Sequence, residues 1–314
     1  MIEKKVLITD RADRALQSGL LKRGFKVDDL PDISYEQVLR IIGDYSGIVI
    51  NTKTPARKEL LSRASKLEWI ARLGSGLDIV DLERAKERGI AVINSPEGNA
   101  NAVGEHVLGM LLALLRNICI ADREVRKCLW NREKNRGREL SSMQVGIIGF
   151  GNTGTAFASL LQGFGCRIYA YDKYKRNYAQ EWDHVVECNS AEEVLREVDI
   201  VSFHLPLTVE THAMADWEFF SQCKRGCIVI NSSRGKILRT TDLLSALESG
   251  QLGGACLDVF ENEKPDTYTA EEEKIYGKLF ERSDVVLSPH IAGWTGESKV
   301  RIAEVILKKL DEAK

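Results

Sequence analysis

The stretch that decides the fold is Val145-Gly146-Ile147-Ile148-Gly149-Phe150-Gly151-Asn152-Thr153-Gly154. A short run of apolar, mostly β-branched residues leads into the pattern G-x-G-x-x-G, and residues 155–164 continue with apolar side chains at helical spacing. This is the strand, turn and helix order of a dinucleotide-binding site. Gly149 permits a tight turn, Gly151 lets the backbone approach a pyrophosphate, and Gly154 lets the helix lie close to the strand. The amides at the helix N-terminus would face the phosphates.

A glycine pattern alone is weak support, because turns also use glycine for purely conformational reasons. The chain supplies a second feature 18 residues after Gly154, where the run Arg167-Ile168-Tyr169-Ala170-Tyr171 ends in Asp172. A dinucleotide-binding fold places its ribose-binding acid at about this distance. A carboxylate there accepts hydrogen bonds from the ribose hydroxyls and repels a 2′-phosphate, so the predicted cofactor is NAD. Three bases follow and would soften the repulsion: Lys173, Lys175 and Arg176.

The composition limits the classes of protein to which the chain can belong. With 314 residues, of which 44% are hydrophobic and 29% charged, it is long enough for two domains and ordinary for a globular protein. A formal net charge of −2 argues against a nucleic-acid partner, which requires a concentrated basic face. No apolar stretch is long enough for a membrane span or a signal sequence. We therefore expect a small-molecule partner and no membrane.

Cysteine usage indicates the compartment. The 7 cysteines are odd in number and scattered, unlike a disulfide framework, so a reducing cytoplasm is predicted. Cys223 and Cys227 are four residues apart, but no second pair of Cys or His accompanies them. No metal is predicted.

Short apolar runs alternate with helix-like segments in both halves of the chain. Residues 1–97 read as one βα domain, and residues 98–290 repeat the theme around the glycine-rich stretch. Because the runs are continuous rather than alternating, they suit parallel sheets covered on both faces. A last helix over residues 298–310 would return to the first domain, which would then comprise residues 1–97 and 291–314. The active cleft is expected between the two domains, at strand ends.

A long helical segment from Asn101 to Arg116 joins the two predicted domains. It carries more apolar side chains than one domain face requires, and Trp130 follows soon after it. The excess predicts a subunit contact, and we expect a homodimer.

Three polar residues follow predicted strands of the second domain, where open α/β sheets bind their ligands. Arg234 offers a planar fork to a carboxylate, although a loop arginine is more often a solvated charge. Glu263 alone would be a surface residue. His290 follows Pro289 at a strand end, where a histidine is more often structural than an acid–base group. A hydride-transfer enzyme nevertheless needs such a set: one residue orients a carboxylate, and another protonates the carbonyl oxygen.

The chain resembles the D-isomer-specific 2-hydroxyacid dehydrogenases over nearly its whole length, and within that family the phosphoglycerate dehydrogenases. The fold that this implies is α/β with two doubly wound parallel-sheet domains, a Rossmann NAD-binding domain inserted in a flavodoxin-like substrate domain. The resemblance rests on six ordered motifs: Gly74-Ser75-Gly76-Leu77-Asp78, Gly149-Phe150-Gly151-Asn152-Thr153-Gly154, His204-Leu205-Pro206, Asn231-Ser232-Ser233-Arg234-Gly235, Leu257-Asp258-Val259-Phe260 with Glu263, and Ser288-Pro289-His290.

The resemblance implies a role for each motif residue. Arg234 would bind the substrate carboxylate, His290 would be the acid–base group, and Glu263 would hold His290 and favour its protonated form. The cofactor would contact Val103, Gly149, Gly151, Asn152, Thr153, Gly154, Asp172, Leu205, Pro206, Ser233, Asp258, His290 and Gly293. Among these, Ser233 and Asp258 would lie near the nicotinamide and Val103 would pack on its ring. The substrate would contact Lys53, Gly74, Ser75, Gly76, Arg234 and Trp294.

The substrate is less well defined by the sequence. Phosphoglycerate dehydrogenases commonly carry Arg at the position aligned with Asn51, so binding of a substrate phosphate would fall to Lys53 or another base. Trp294 would either wall the substrate pocket or pack as core between the domains. The amides of Gly74, Ser75 and Gly76 would form a nest for the substrate carboxylate.

The resulting prediction is an NAD-dependent oxidoreductase that interconverts a D-2-hydroxyacid and its 2-oxoacid, with 3-phosphoglycerate as the first substrate. Hydroxypyruvate or glyoxylate reduction and erythronate-4-phosphate oxidation are alternatives. A non-enzymatic alternative is an NAD-sensing binding protein similar to corepressors that retain this fold. Because the sequence ends at Lys314, the expectation is a short form without the regulatory C-terminal domain of longer phosphoglycerate dehydrogenases, and hence without serine feedback.

Overall fold

The apolar runs of the sequence fold into parallel strands that belong to two separate sheets. The computed structural model describes residues 4–312. The chain divides into two units, one made of the residues up to Asn101 with those from Trp294 onward, the other of Ala102–Gly293. The domain boundaries predicted from the sequence are 97/98 and 290/291.

The first unit contains a sheet built from buried, β-branched segments. Among the described residues its strands are β1 Lys5–Ile8, β2 Lys26–Asp29, β3 Gly47–Ile50, β4 Trp69–Arg72 and β5 Ala91–Ile93. They pair in parallel in the order β2-β1-β3-β4-β5. This is the flavodoxin-like order, and its switch point lies between β1 and β3.

Helices cover the first sheet, and their ends are set by side-chain caps. They are α1 Arg14–Lys22, α2 Tyr35–Ile41, α3 Lys58–Arg63, α4 Leu82–Glu87 and, from the end of the chain, α12 Gly296–Glu312. Asp13 caps α1, and Ser34 with Gln37 forms a capping box on α2. Helix α12 packs on α1 so closely that a Cβ at Gly19 would overlap Leu307. The last helix therefore returns to the first unit, as predicted.

The second unit contains the larger sheet. Among the described residues its strands are β6 Gln144–Ile148, β7 Arg167–Tyr171, β8 Val185–Glu187, β9 Ile200–Phe203, β10 Cys227–Asn231, β11 Leu252–Leu257 and β12 Val285–Leu287. All pair in parallel in the order β12-β11-β10-β9-β6-β7-β8. Counted from β6, this is the Rossmann order. Successive strands are added on one side of β6 up to β8 and on its other side from β9 onward, so the topological switch point lies between β6 and β9. The predicted fold class is confirmed for both units.

The helices of the second unit are α5 Ala100–Leu115, α6 Ile118–Val125, α7 Asn152–Leu161, α8 Ala191–Glu197, α9 Trp217–Ser221, α10 Thr240–Glu248 and α11 Ala270–Phe280. The chain passes from the first unit to the second within α5. Its apolar residues Val107, Met110 and Leu111 are buried in the core of the second unit. These side chains are therefore covered within this unit, while Leu108, Leu112 and Leu114 on the same helix are only partly buried.

In the described range 4–312, no single helix is long and apolar enough to cross a membrane. Helices α5 and α6 reach the required length and composition only when counted together, and they meet at a bend of 61°.

Candidate active site

The glycine-rich loop after β6 has the geometry that the sequence predicted. Gly149 has φ of +96°, which favours glycine, and a Cβ there would overlap the backbone of His204. A Cβ at Gly154 would overlap Gly149 O, so helix α7 lies directly on the turn. Gly151, in contrast, faces open space. It is the N-cap of α7 and supplies no side-chain cap, so the first amides of the helix remain for an anion.

Asp172 lies at the end of β7 and fixes the same loop. Its Oδ2 accepts from Phe150 N at 2.9 Å, and its Oδ1 accepts from the amides of Tyr174 and Lys175 at 2.9 and 3.0 Å. Each carboxylate oxygen can accept more than one hydrogen bond, so Asp172 keeps capacity for ribose hydroxyls.

Each of the three bases after Asp172 has a hydrogen-bond partner in the structure. Lys173 pairs with Glu210 at 2.5 Å, and Lys175 Nζ donates to Phe150 O at 2.8 Å. Arg176 Nη1 donates to backbone carbonyls of its own turn. Of the three cations, Lys173 is paired with a carboxylate, whereas Lys175 and Arg176 bind neutral carbonyls and keep their charge beside Asp172.

A buried histidine links the loop to the next strand. His204 lies between Ser202 Oγ at 2.9 Å and Thr153 Oγ1 at 3.2 Å. Burial lowers the pKa of His204 to about 3, so the ring is neutral and fixed as one donor and one acceptor. Of the predicted cofactor residues, Thr153 thus orients the start of α7 through a side-chain bond. Leu205 lies against Gly149.

Ser233 and Pro206 have backbone-holding roles beside this loop. The Ser233 hydroxyl donates to Phe203 O at 2.6 Å and accepts from Leu205 N at 3.2 Å, which ties the ends of β9 and β10 together. Pro206 O accepts from Thr211 Oγ1 at 2.7 Å. Asn152 is exposed in the first turn of α7. A glycine cradle open at Gly151, helix amides and an acid at the end of β7 together fit a dinucleotide.

Arg234 is half-buried and follows β10. The loop that contains it is held by contacts of neighbouring residues as well as by the Arg234 side chain. Asn231 Nδ2 donates to Arg234 O at 3.0 Å, and a Cβ at Gly235 would overlap the backbone of Phe260. Arg234 Nη1 donates to Ser233 O at 2.7 Å. The loop that carries Arg234 therefore touches the segment that leads to Glu263.

The structure brings His290 and Glu263 within hydrogen-bonding distance of each other. His290 Nδ1 lies 2.9 Å from Glu263 Oε2, and the two side chains are 49% and 39% exposed. His290 has φ of +57°, a conformation that residues other than glycine rarely adopt. Because Nδ1 faces the carboxylate, Nε2 is the nitrogen that can exchange a proton with a substrate.

Asp258 is fully buried beneath this pair. Its Oδ1 accepts from Ser288 Oγ at 2.5 Å and from Ile291 N at 2.9 Å, and its Oδ2 accepts from Ala292 N at 2.8 Å. Burial raises the pKa of the Asp258 carboxyl, but hydrogen bonds from His106, Ser288 and these amides outweigh it and lower the pKa. Asp258 is therefore an ionised anchor for the turn that carries His290.

His106 on α5 is a residue of this network that the sequence did not suggest. Its Nε2 lies 2.8 Å from Ser288 Oγ and 3.5 Å from Asp258 Oδ1. A signal was available, because His106 stands three residues after Val103 and four before Met110, on one helical face. Val103, expected on the nicotinamide ring, is 7% exposed and belongs to the core cluster of this unit. Gly293 is half-buried and is the last residue of the unit.

In the first unit, the Gly74-Ser75-Gly76 loop follows β4 and is held by the segment after β5. Gly74 has φ of +138°, and its amide donates to Ser95 Oγ at 3.1 Å and Arg72 O at 2.9 Å. Asn94 Nδ2 donates to Ser75 O at 2.7 Å. Since the Gly74 amide is engaged, the amides of Ser75 and Gly76 are the ones that can serve a carboxylate.

The bases of the first unit differ in their surroundings. Lys53 Nζ donates to Pro31 O and, at 3.3 Å, to Ile33 O. The Arg72 guanidinium lies against the Gly74 loop, where a Cβ at Gly74 would overlap it. Trp294 is 57% exposed, and Lys299 Nζ lies 4.4 Å from its ring centroid.

Comparison with known proteins agrees with this geometry. The family "D-isomer specific 2-hydroxyacid dehydrogenase, NAD binding domain" matches residues 108–292. A D-3-phosphoglycerate dehydrogenase of Synechocystis is 32% identical over 98% of this chain and 53% of the relative. A hydroxypyruvate reductase of Thermotoga maritima is 31% identical over 99% of this chain and 98% of the relative. The chain spans about half the length of the phosphoglycerate dehydrogenases that it matches.

Among solved structures, a D-lactate dehydrogenase of Aquifex aeolicus complexed with NAD and lactic acid has a TM-score of 0.83 and 27% identity, covering 98% of this chain and 94% of that chain. The chain belongs to the D-isomer-specific 2-hydroxyacid dehydrogenase family. The predicted family is confirmed, and the match to its NAD-binding domain confirms the predicted cofactor.

Proposed function

We propose that the protein is an NAD-dependent oxidoreductase that interconverts a D-2-hydroxyacid and its 2-oxoacid. The observation that carries the proposal is the bond between His290 Nδ1 and Glu263 Oε2, 2.9 Å long, at the same carboxyl edge of the parallel sheet as a glycine cradle suited to a dinucleotide. An NAD-sensing binding protein would not need the acid–base pair, but corepressors similar to this family keep the catalytic residues as well, so a measurement of turnover has to separate the two functions. The free thiols of its 7 cysteines support a cytoplasmic location.

The side chains divide the work as follows. Glu263 fixes the imidazole through Nδ1, and His290 gives a proton from Nε2 to the carbonyl oxygen of a 2-oxoacid, or takes it back in the reverse direction. Arg234 holds the substrate carboxylate so that C2 has one orientation. When bound, the nicotinamide supplies or accepts the hydride.

The first substrate that we propose is 3-phosphoglycerate, which is supported by the phosphoglycerate dehydrogenases among the relatives. Its phosphate needs a cation. Lys53 Nζ donates to the carbonyls of Pro31 and Ile33, and an ammonium has a third proton, so Lys53 is the base that we propose for the phosphate.

The second candidate is reduction of hydroxypyruvate or glyoxylate. Erythronate 4-phosphate is another phosphorylated substrate that could replace 3-phosphoglycerate. It is favoured by the hydroxypyruvate reductase, which matches this chain over 98% of its own length. A panel of 2-oxoacids with NADH, read by loss of absorbance, decides between these substrates. Turnover with phosphohydroxypyruvate but not with hydroxypyruvate supports the first; binding of NADH without turnover of any 2-oxoacid favours the NAD-sensing alternative.

Cofactor choice gives the first testable prediction. The Asp172 carboxylate stands where a 2′-phosphate would lie, and juxtaposed like charges cost several kcal/mol. We expect kcat/KM with NADH to exceed that with NADPH by about a hundredfold, since 1.4 kcal/mol corresponds to a factor of ten. Asp172→Asn should lower this ratio about tenfold or more, because the repulsion is lost. Steady-state kinetics with both cofactors measures it.

Glu187→Gln is the matched control, because it removes an acid from β8 whose carboxylate accepts from Asn177 N at 3.0 Å. It should leave the NADH to NADPH ratio unchanged. A parent enzyme that prefers NADPH would contradict the assignment of Asp172.

Self-association gives the second prediction, and we propose a homodimer. The support now comes from apolar side chains exposed after α5: Ile118 at 52%, Val125 at 48%, Leu129 at 46% and Trp130 at 73%. Aromatic side chains that become buried at an interface often contribute a large share of its binding free energy.

Sedimentation at micromolar concentration should show a species of twice 35.2 kDa, and Trp130→Glu should raise the dimer Kd about tenfold or more. Val209→Ser, at a residue 97% exposed elsewhere, is the control. A parent protein that sediments only as a monomer contradicts the proposal.

A further inference from the structure

The turn that carries His290 is held by a single residue. The His290 amide donates to Asp258 O at 2.7 Å, and the next two amides donate to the Asp258 carboxylate. Three successive amides therefore bind one aspartate. Because the left-handed backbone at His290 is unfavourable for a side-chain-bearing residue, these bonds decide where the imidazole points.

The buried Asp258 carboxylate is in turn held by a donor chain that starts on another element. An ionised carboxylate only accepts, so the 2.5 Å contact requires Ser288 Oγ to donate its single proton to Asp258. The Ser288 oxygen can then only accept from His106 Nε2, 2.8 Å away. His106 is thus fixed with its proton on Nε2. Its helix, α5, is anchored in the core of the unit by the buried residues Val107 and Leu111.

We propose that His106 is a positioning residue for the acid–base histidine, acting through Ser288 and Asp258 on the turn that carries His290. The inference rests on the proposed function, in which His290 transfers the proton. It differs from a purely structural role in a measurable way. A residue that only stabilises the fold changes the unfolding temperature, whereas a positioning residue also changes the turnover of the folded enzyme.

The first test compares three variants on a 2-oxoacid that the parent enzyme reduces. His106→Phe keeps a ring but removes the donor, and it should lower kcat about tenfold to a hundredfold, because small misplacements of a catalytic group have effects of this size. The KM for NADH should change little. His106→Gln retains an N–H donor and should recover most of the lost kcat. His184→Phe, at a histidine whose Nε2 lies 3.3 Å from Ala158 O, is the matched control and should keep the parent kcat.

The second test asks whether the effect passes through Ser288. Ser288→Ala removes the hydroxyl between His106 and Asp258 and leaves only the direct 3.5 Å approach of His106 Nε2 to Asp258 Oδ1, so it should lower kcat by as much as His106→Phe does or by less. The double variant should be no slower than the slower single variant, because both changes remove the same connection. If the two losses multiplied, the residues would act independently and the proposed path would be wrong.

The third test is independent of substrate. Hydrogen exchange of the Ile291 and Ala292 amides should be faster in His106→Phe and Ser288→Ala than in the parent, and unchanged in His184→Phe. If the parent protein reduced no 2-oxoacid, the proposed function would fail while this measurement still tested the network. Folded His106→Phe with parental kcat and parental exchange at both amides would overturn the inference.

Discussion

His290→Ala should lower kcat for 2-oxoacid reduction by about 10²–10⁴, the usual size of a general acid–base contribution. His290 Nδ1 is held by Glu263 at 2.9 Å, which leaves Nε2 to transfer the proton. The Kd for NADH should remain nearly unchanged, because the glycine cradle and Asp172 belong to other segments. Steady-state kinetics and fluorescence titration of NADH measure the two quantities separately.

Two further variants separate the chemistry from the conformation of the turn. Since His290 has φ of +57°, His290→Asn suits the backbone better than alanine does and should be equally impaired if the imidazole itself is required. Glu263→Gln keeps the shape but removes the charge. Because both side chains are considerably exposed, its effect on kcat should be only about two- to fivefold. Parental turnover in His290→Asn would return His290 to a structural role.

The sequence predicted the architecture well where local chemistry and global fold agree. The G-x-G-x-x-G stretch requires a positive φ at Gly149 and a close approach at Gly154, and the structure has both. The short edge strand β8 was missed, because its three residues include Glu187 and pair with β7 alone. A segment this short carries too little apolar pattern to be distinguished from a loop.

The sequence indicated which residues the structure brings together at the strand ends better than it indicated the contacts that these residues make. Asp258 and Ser233 were expected beside the nicotinamide, but their side chains also bind backbone groups of the neighbouring turns. Whether a carboxylate is buried depends on which distant amides converge on it, and this is a property of the folded chain. For the same reason His106 was overlooked, since its partner Ser288 lies 182 residues away in the sequence.

The apolar face of α5 was assigned to a subunit contact for a related reason. Its pattern shows that the face must be covered, but it does not show by what. In the structure Gly104 lies against α7, where a Cβ would lie 3.1 Å from Leu160 Cδ1, so small residues let the two helices approach closely. The exposed apolar side chains lie further along, on α6 and at Trp130.

Arg234→Ala should lower kcat/KM for a 2-oxoacid by about 10²–10⁴, with kcat reduced and KM raised. Each hydrogen bond between charged groups contributes about 1.5–3 kcal/mol, and a guanidinium can make two with one carboxylate. Loss of orientation at C2 adds an effect on kcat. The variant should fold, because Asn231 Nδ2 and the close contact at Gly235 still hold the loop when the bond from Arg234 Nη1 to Ser233 O is lost. Arg239→Ala, at an exposed residue of the same segment, is the control.

The comparison of substrates makes this prediction specific for the carboxylate. The parent enzyme should strongly prefer a 2-oxoacid to the corresponding 2-oxoamide, because only the acid offers two anionic oxygens to the planar fork of Arg234. Arg234→Ala should reduce the acid much more slowly yet retain the amide rate, so the preference itself should collapse. Arg234→Lys keeps the charge but not the fork and should fall between them. If Arg234→Ala slowed both substrates equally, the arginine would act on the loop or the cofactor, and the carboxylate would have to be bound by another residue.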